Sequence, residues 1–352
     1  MTTPSEKAKL LRAEAAKRIL LADGAFGTMI QGYGLQEADY RGELDLSRDQ
    51  KGNNDILVLT RPDVIDEITR GYLAAGSDIV STNTFNGTSI SQAEYGAQAR
   101  VRDINLAAAR IARTAADDAE ATDGRPRFVA GALGPLNKTL SLSPDVNDPG
   151  YREVDFDTVK AAYAEQIAAL VDGGVDFILL ETIFDTLNAK SAIMATLEEG
   201  DRRGIELPLM ISMTITDMSG RNLSGHSIEA FWYAVRHARP LTIGLNCSFG
   251  ADLLRPHVQA LNGIADTLVM AYPNAGLPND LGQYDETPAK TSSLIEDWAS
   301  SGFINIVGGC CGTTPEHIAA IAEAVKAYPP RPVPAVAPAM RLAGIDPMTL
   351  AA

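Results

Sequence analysis

The stretch Gly173-Gly174-Val175-Asp176-Phe177-Ile178-Leu179-Leu180-Glu181-Thr182 holds the pattern from which the fold is read. Its two glycines follow an amphipathic helical pattern over 157–172, and glycine is the residue that closes a helix in the left-handed conformation. An apolar run then ends abruptly in a carboxylate and a threonine. The same order recurs on both sides. Ala75-Gly76-Ser77-Asp78 leads into an apolar segment ending in Ser81-Thr82-Asn83-Thr84-Phe85, and Ser301-Gly302-Phe303 leads into one ending in Gly308-Gly309-Cys310-Cys311-Gly312. Eight segments are predicted strands: 19–23, 78–83, 128–133, 177–181, 209–213, 242–246, 267–271 and 304–307. Helical patterns lie between them, at 101–115, 157–172, 188–203 and 292–301. A last helix over 315–327 starts with Thr314 as cap and Pro315 at the first helical position. Strand and helix in alternation demand a parallel sheet, and eight repeats fit a closed (β/α)8 TIM barrel. An open, doubly wound sheet is the alternative that this pattern leaves.

Two insertions interrupt the rhythm, 29–61 after the first strand and 134–155 after the third. Both follow strand C-termini, where barrels carry their functional loops. The barrel is expected over 1–328. The remaining 329–352 begins with Pro-Pro-Arg-Pro-Val-Pro-Ala-Val-Ala-Pro and reads as an extended linker or tail.

Apolar residues make up 45% of the 352, enough for a large core. The net charge of −15 lacks the basic footprint that nucleic acid requires. No segment approaches the roughly 20 apolar residues of a membrane span. The run 19–21 is cut by Asp23 before it could serve as a signal-peptide core. A cytoplasmic protein is expected. Its three cysteines do not suit a disulfide framework and read instead as buried thiols, metal ligands or nucleophiles.

Polar and sulfur residues gather at the predicted strand ends. Asp23-Gly24-Ala25 closes the first strand, Glu181-Thr182 the fourth, Asn246-Cys247-Ser248 the sixth, Tyr272-Pro273-Asn274-Ala275-Gly276 the seventh, and Gly309-Cys310-Cys311 the eighth. Strands six and eight of a barrel lie about 10 Å apart, so Cys247, Cys310 and Cys311 can converge on one ion. Adjacent residues of a regular strand point to opposite faces, and the flanking glycines let the backbone turn so that both sulfurs face inward. Three thiolates with a fourth position open match catalytic zinc. Three inert buried cysteines, or a vicinal disulfide, fit the spacing equally. Asp23 and Glu181 end apolar strands with no Lys or Arg at the neighbouring tips, which suits an external ammonium group; carboxylates bonded to loop amides are the structural alternative. Asn83, Asn246 and Asn274 suit loop-fixing roles. Of the four histidines only His226 lies near the rim, so neither a Ser–His–Asp triad nor a histidine-rich metal site is supported. Gly308-Gly309 lacks the spacing of a phosphate-binding fingerprint.

Asp23-Gly24-Ala25, Thr82-Asn83-Thr84-Phe85, Leu180-Glu181-Thr182, Gly244-Leu245-Asn246-Cys247 and Gly308-Gly309-Cys310-Cys311-Gly312 resemble the homocysteine S-methyltransferase family. The resemblance implies a (β/α)8 barrel with Zn2+ held by Cys247, Cys310 and Cys311. It implies that Asp23 and Glu181 receive the amino group of homocysteine, with Ala25 and Asn83 also at the substrate. Within the family, the 134–150 loop, Ile183-Phe184-Asp185-Thr186-Leu187-Asn188-Ala189-Lys190 and Tyr284-Asp285-Glu286-Thr287-Pro288 resemble the homocysteine-binding module of cobalamin-dependent methionine synthase. In that subfamily the asparagine of the Pro-Asn-Ala-Gly turn, here Asn274, is expected to fill the fourth zinc position when substrate is absent. Betaine-using relatives carry Tyr after the strand-four glutamate, where this chain has Thr182.

The implied reaction is methyl transfer to the homocysteine thiol, giving methionine, from methylcobalamin on a partner protein or domain. Full methionine synthases continue into folate-binding, cobalamin-binding and reactivation modules. Arg341-Leu342-Ala343-Gly344-Ile345-Asp346-Pro347 looks like the junction to the folate module, so a separate subunit or a shortened form of a longer chain is expected. The alternatives are a self-sufficient methyltransferase using betaine or S-methylmethionine, a non-catalytic zinc-binding module, and an unrelated barrel aldolase or decarboxylase.

Overall fold

In the computed structural model, which describes residues 3–350, eight short parallel strands form one sheet: β1 (Leu20–Leu21), β2 (Ile79–Ser81), β3 (Phe128–Leu133), β4 (Phe177–Ile183), β5 (Leu209–Met213), β6 (Thr242–Asn246), β7 (Leu268–Tyr272) and β8 (Ile306–Val307). The ladder runs from β2 through β3 to β8 and on to β1. A parallel bridge from Ala22 to Ile79 joins β1 back to β2 and completes the ring. The chain is therefore a (β/α)8 barrel, and the open-sheet alternative is set aside. Among the described residues no helix is long and apolar enough to cross a membrane.

Parallel strands covered on both faces are apolar along their whole length, which is why these read so clearly in the sequence. The period of two divides each strand between two cores. Inside the barrel Phe177 and Leu179 meet Phe128, Ala130, Met210, Leu268 and Met270, while Ile178 and Leu180 face the surrounding helices. The same alternation carries Glu181 inward, one step above Leu179, to the mouth. Gly244 on β6 is required: a Cβ there would stand 1.5 Å from the Met270 carbonyl oxygen.

Helices 157–172 and 188–203, expected from periodicity, are observed as Phe156–Gly173 and Thr186–Arg203. The helix expected over 101–115 continues to Asp123, because its alanine-rich second half holds no breaker before Gly124 takes the left-handed cap. A helix over Pro4–Ala15 was absent from the sequence reading, although Thr3 and Glu6 form a reciprocal capping box at its start. Its Leu11 and Ala15 plug the floor of the barrel.

The insertion after β1 folds into short helices, Phe26–Gly32, Glu37–Arg41 and Leu57–Thr60, over the mouth. The one after β3 lacks regular structure and is held by side chains of the β4 connection. Asp185 accepts from the Ser141 backbone and hydroxyl at 2.9 and 2.7 Å, and Asn188 accepts from the Leu140 backbone at 2.9 Å. The segment read as an extended linker is anchored: Arg331 is buried and donates to the carbonyls of Asn262, Ala265 and Thr267. Beyond it β9 (Met340–Ala343) and β10 (Pro347–Leu350) pair antiparallel, and Arg221 bonds Ile345 and Asp346 between them.

Candidate active site

The ends of the strands enclose a cavity of about 440 Å³ at the barrel mouth. Cys247, Cys310 and Cys311 line it together with Asp23, Ala25, Asn83 and Glu181, so seven of the sequence-predicted residues share one space. Asn274 does not line it, but the residues on either side of it bond to the cysteine backbone. The Cys310 N–H donates to the Pro273 carbonyl at 2.7 Å, and the Ala275 N–H donates to the Cys311 carbonyl at 2.9 Å.

Local backbone geometry explains the convergence of sulfurs. Cys247 follows β6 in the left-handed region, φ +62°, and so does Ser248, φ +64°. These conformations are unusual outside glycine and turn the Cys247 side chain back over the mouth. After β8 the backbone passes so close to its neighbours that a Cβ at Gly308 would meet the Asp23 carbonyl oxygen at 2.7 Å, and one at Gly309 would meet Thr313 at 2.2 Å. The three sulfurs lie within 4.8 Å of one another, with Cys247 Sγ and Cys311 Sγ 3.8 Å apart. That separation is far beyond a disulfide bond. It matches the edge of a tetrahedron of thiolates, which at a Zn–S distance of about 2.3 Å is about 3.8 Å. Interaction among the three thiols pushes Cys311 down and Cys310 up, the mark of acids too close to ionise independently. The buried Asn274 Oδ1 has no hydrogen-bond partner among the described residues, and it sits on the turn whose Pro273 and Ala275 bond to the backbone of Cys310 and Cys311. The donor set therefore fits zinc.

Glu181 faces the same space. Burial, then the charge of Asp23, push its carboxyl up to about 8 against the hydrogen bond from Tyr272, whose hydroxyl lies 3.4 Å away. Asp23 is pushed up to about 6 by burial, opposed by the Ser81 backbone and hydroxyl. Among the described residues, no Lys, Arg or His lines the cavity. Asn83 donates from Nδ2 to the Asn54 carbonyl at 2.8 Å, which ties the β2 end to the first insertion. Ala25 precedes helix Phe26–Gly32 without a side-chain cap. The histidines are elsewhere: His226 bonds Thr186 and Ser224, and His317 bonds Thr314 and the Glu286 carbonyl.

Three further residues escaped the sequence reading as site residues. Tyr272 contacts Glu181. Tyr284 lines the cavity with Cys311 and helps hold that thiol low. Asp55, from the first insertion, is a third buried carboxylate on the wall, pushed up to about 7 by burial. The Tyr272 position was legible, since β7 alternates Leu268, Met270 and Tyr272 inward. The other two sit on loops whose path no periodicity marks.

A family model described as homocysteine S-methyltransferase matches residues 20–325. Among solved structures, the metallated form of the homocysteine methyltransferase MmuM from Escherichia coli superposes with a TM-score of 0.68 at 22% identity, covering 89% of this chain and 98% of that one. The oxidized form of the same protein gives 0.67 at 22% identity, over 87% and 95%. At that identity the structures speak for the fold, and the family model, spanning most of the chain, speaks for descent: this chain belongs to the homocysteine S-methyltransferase family.

Proposed function

We propose that the chain transfers a methyl group to the thiol of homocysteine, giving methionine, with zinc held by Cys247, Cys310 and Cys311 and the methyl group brought by methylcobalamin on a partner protein or domain. The observation that carries this reading is the meeting of three thiols and three carboxylates in one cavity free, among the described residues, of basic side chains. Such a cavity suits a ligand with a soft sulfur at one end and an ammonium at the other.

Asp23 and Glu181 receive the ammonium, and Glu181 gives up its proton to do so. Ala25 and Asn83 belong to the same wall and complete the surface offered to the substrate. Zinc, when bound, supplies the charge that makes a thiolate of a thiol whose free pKa is about 8.5. Asn274, whose buried Oδ1 has no partner among the described residues, would supply a fourth donor to the metal in the absence of substrate. The substrate sulfur then forms its bond to the methyl carbon, while the bond from methyl to donor breaks and leaves its electron pair on the donor.

A donor held by a partner needs an approach to the mouth. Large apolar side chains stand exposed on the loops around it: Val146 after β3, Met218 after β5, Leu277 and Leu281 after β7. Apolar side chains exposed on these loops offer a partner protein points of contact. Cobalamin-binding and folate-binding modules are the proposed partners, in the cytoplasm, where reducing conditions keep the thiols available. The test is an assay with homocysteine and methylcobalamin, with and without a separate cobalamin-binding protein and with and without chelator. Slow turnover of free methylcobalamin, accelerated by the carrier and abolished by chelation, is expected. Efficient turnover with betaine or S-methylmethionine, and no gain from the carrier, overturns the donor assignment. Activity that survives removal of zinc overturns the metal assignment.

A further inference from the structure

We infer that Asn246 is a positioning residue that ties the metal thiolates to the ammonium-binding carboxylate Glu181 through a single side-chain amide, an inference that rests on the proposed function. Asn246 ends β6, is fully buried, and faces into the barrel directly before Cys247. Its Oδ1 accepts from the Thr182 N–H at 2.9 Å and from the Ser212 hydroxyl at 2.6 Å. Its Nδ2 donates to the Thr182 hydroxyl at 2.8 Å and lies 3.9 Å from Cys310 Sγ. A backbone N–H can only donate, so the amide oxygen must face Thr182 N. That fixes the orientation of the whole amide and leaves Nδ2 toward Thr182 Oγ1 and the sulfur.

The two bonds to Thr182 act on a strained position. Thr182 is β-branched and stands at φ +56°. The β4–β5 register shifts between Leu180 and Ile183, so the bulge lies at Glu181 and Thr182. A bulge re-aims the side chain it carries. Held at both its backbone and its hydroxyl, Thr182 keeps the bulge in one conformation and with it the direction of Glu181. The same amide presents an N–H to Cys310. Hydrogen bonds to a ligating sulfur withdraw charge from it and fix its orientation. Homocysteine must reach from the sulfurs to Glu181, and the span between those two ends is set by one residue that touches both arms.

The test uses Asn246→Ala, Asn246→Asp and Thr182→Ala in the full chain, loaded with cobalt(II) for spectroscopy and with zinc for homocysteine titration by calorimetry. Asn246→Ala is expected to move the sulfur-to-cobalt charge-transfer band to longer wavelength, because the sulfur loses a donor. It should also raise the homocysteine Kd at least tenfold and weaken metal retention roughly 10- to 100-fold. Asn246→Asp keeps an acceptor for Ser212 and Thr182 and loses the N–H, so it should fold and still show the band shift. Thr182→Ala leaves the bond to Cys310 in place and should raise the Kd several-fold with the band unmoved. If Asn246→Ala fails to fold, the other two variants decide. A wild-type band in Asn246→Asp together with a wild-type Kd in Thr182→Ala overturns the inference and leaves Asn246 a packing residue. Wild-type protein that shows no sulfur-to-cobalt band and no homocysteine binding overturns the proposed function instead.

Discussion

Asp23 turns one carboxylate oxygen, Oδ2, wholly to Ser81, 2.7 Å from its backbone nitrogen and 2.9 Å from its hydroxyl. Both bonds favour the ionised acid and oppose the burial that pushes it up to about 6. In Ser81→Ala one of them is lost, so Asp23 holds its proton to higher pH. Homocysteine affinity should fall several-fold near pH 6.5 and recover toward about pH 8, where Asp23 is ionised in both proteins. Titration at the two pH values checks it, and an equal loss at both would show that the hydroxyl acts through shape alone.

Glu181 gives a second prediction. Burial, then the charge of Asp23, pushes its carboxyl up to about 8. Binding an ammonium group at neutral pH must then release the carboxyl proton in addition to the thiol proton. Calorimetry in buffers of different ionisation enthalpy should count more than one proton per homocysteine bound. Glu181→Gln should lose the extra proton and raise the homocysteine KM. A lost hydrogen bond to a charged group is worth about 1.5–3 kcal/mol, or roughly 10- to 150-fold. Zinc content should stay near normal. A wild-type KM in this variant would mark the carboxylate as structural.

The metal centre should be separable from the fold. The apolar layers inside the barrel lie below the rim that carries the cysteines. Purified protein should hold about one zinc per chain in sulfur-rich ligation, read by X-ray absorption. Cys310→Ser should lose most of the zinc and most of the activity while its circular dichroism and melting stay close to wild type. Global unfolding of the zinc-free protein would contradict a catalytic site.

Asp55 predicts a pH dependence of stability. Burial pushes its carboxyl up to about 7, whereas an aspartate in the unfolded chain ionises near about 3.9. The folded state therefore binds the proton more tightly. The stability this confers is complete below about pH 4 and is lost as pH rises through about 7. Asp55→Asn keeps an acceptor for the Asn86 N–H, at 2.8 Å in the wild type, and removes the charge. Its Tm should exceed that of wild type at about pH 8.5 by more than at about pH 4.5. Equal differences at both would show that the charge is compensated within the fold.

The strands were the most legible part of this protein because burial on both faces makes each a continuous apolar run. The expected ends of the third, fifth and sixth strands coincide with those of β3, β5 and β6. The first and last apolar runs, at 19–23 and 304–307, form strand ladders only over Leu20–Leu21 and Ile306–Val307, with Ala22 adding a single bridge to Ile79, since hydrophobicity marks burial and does not mark ladder pairing. Site residues at strand ends were legible for the same reason: alternation says which residue faces in. What the sequence hid were partnerships across long separations. Asn246 meets Thr182 from 64 residues away, and Asp55 meets Asn86 from 31. Singly, an asparagine at a strand end suggests a turn. Only the closed ring turns Asn246 into a buried junction. The prolines after 328 suggested a free linker, and the burial of Arg331 depends on carbonyls that collect at one end of the barrel through folding alone.

Those carbonyls have a practical consequence for anyone attaching a probe to this protein. Arg331 is moored at the floor, beside the starts of β7 and β8, and the chain then climbs the outside wall to Ile345 and Asp346 at the loop after β5. The helix Pro4–Ala15, in contrast, stays under the floor. A fluorophore near residue 3 and one near residue 345 therefore look out from opposite poles of the same barrel. The first is blind to traffic at the mouth, and the second stands at its doorstep.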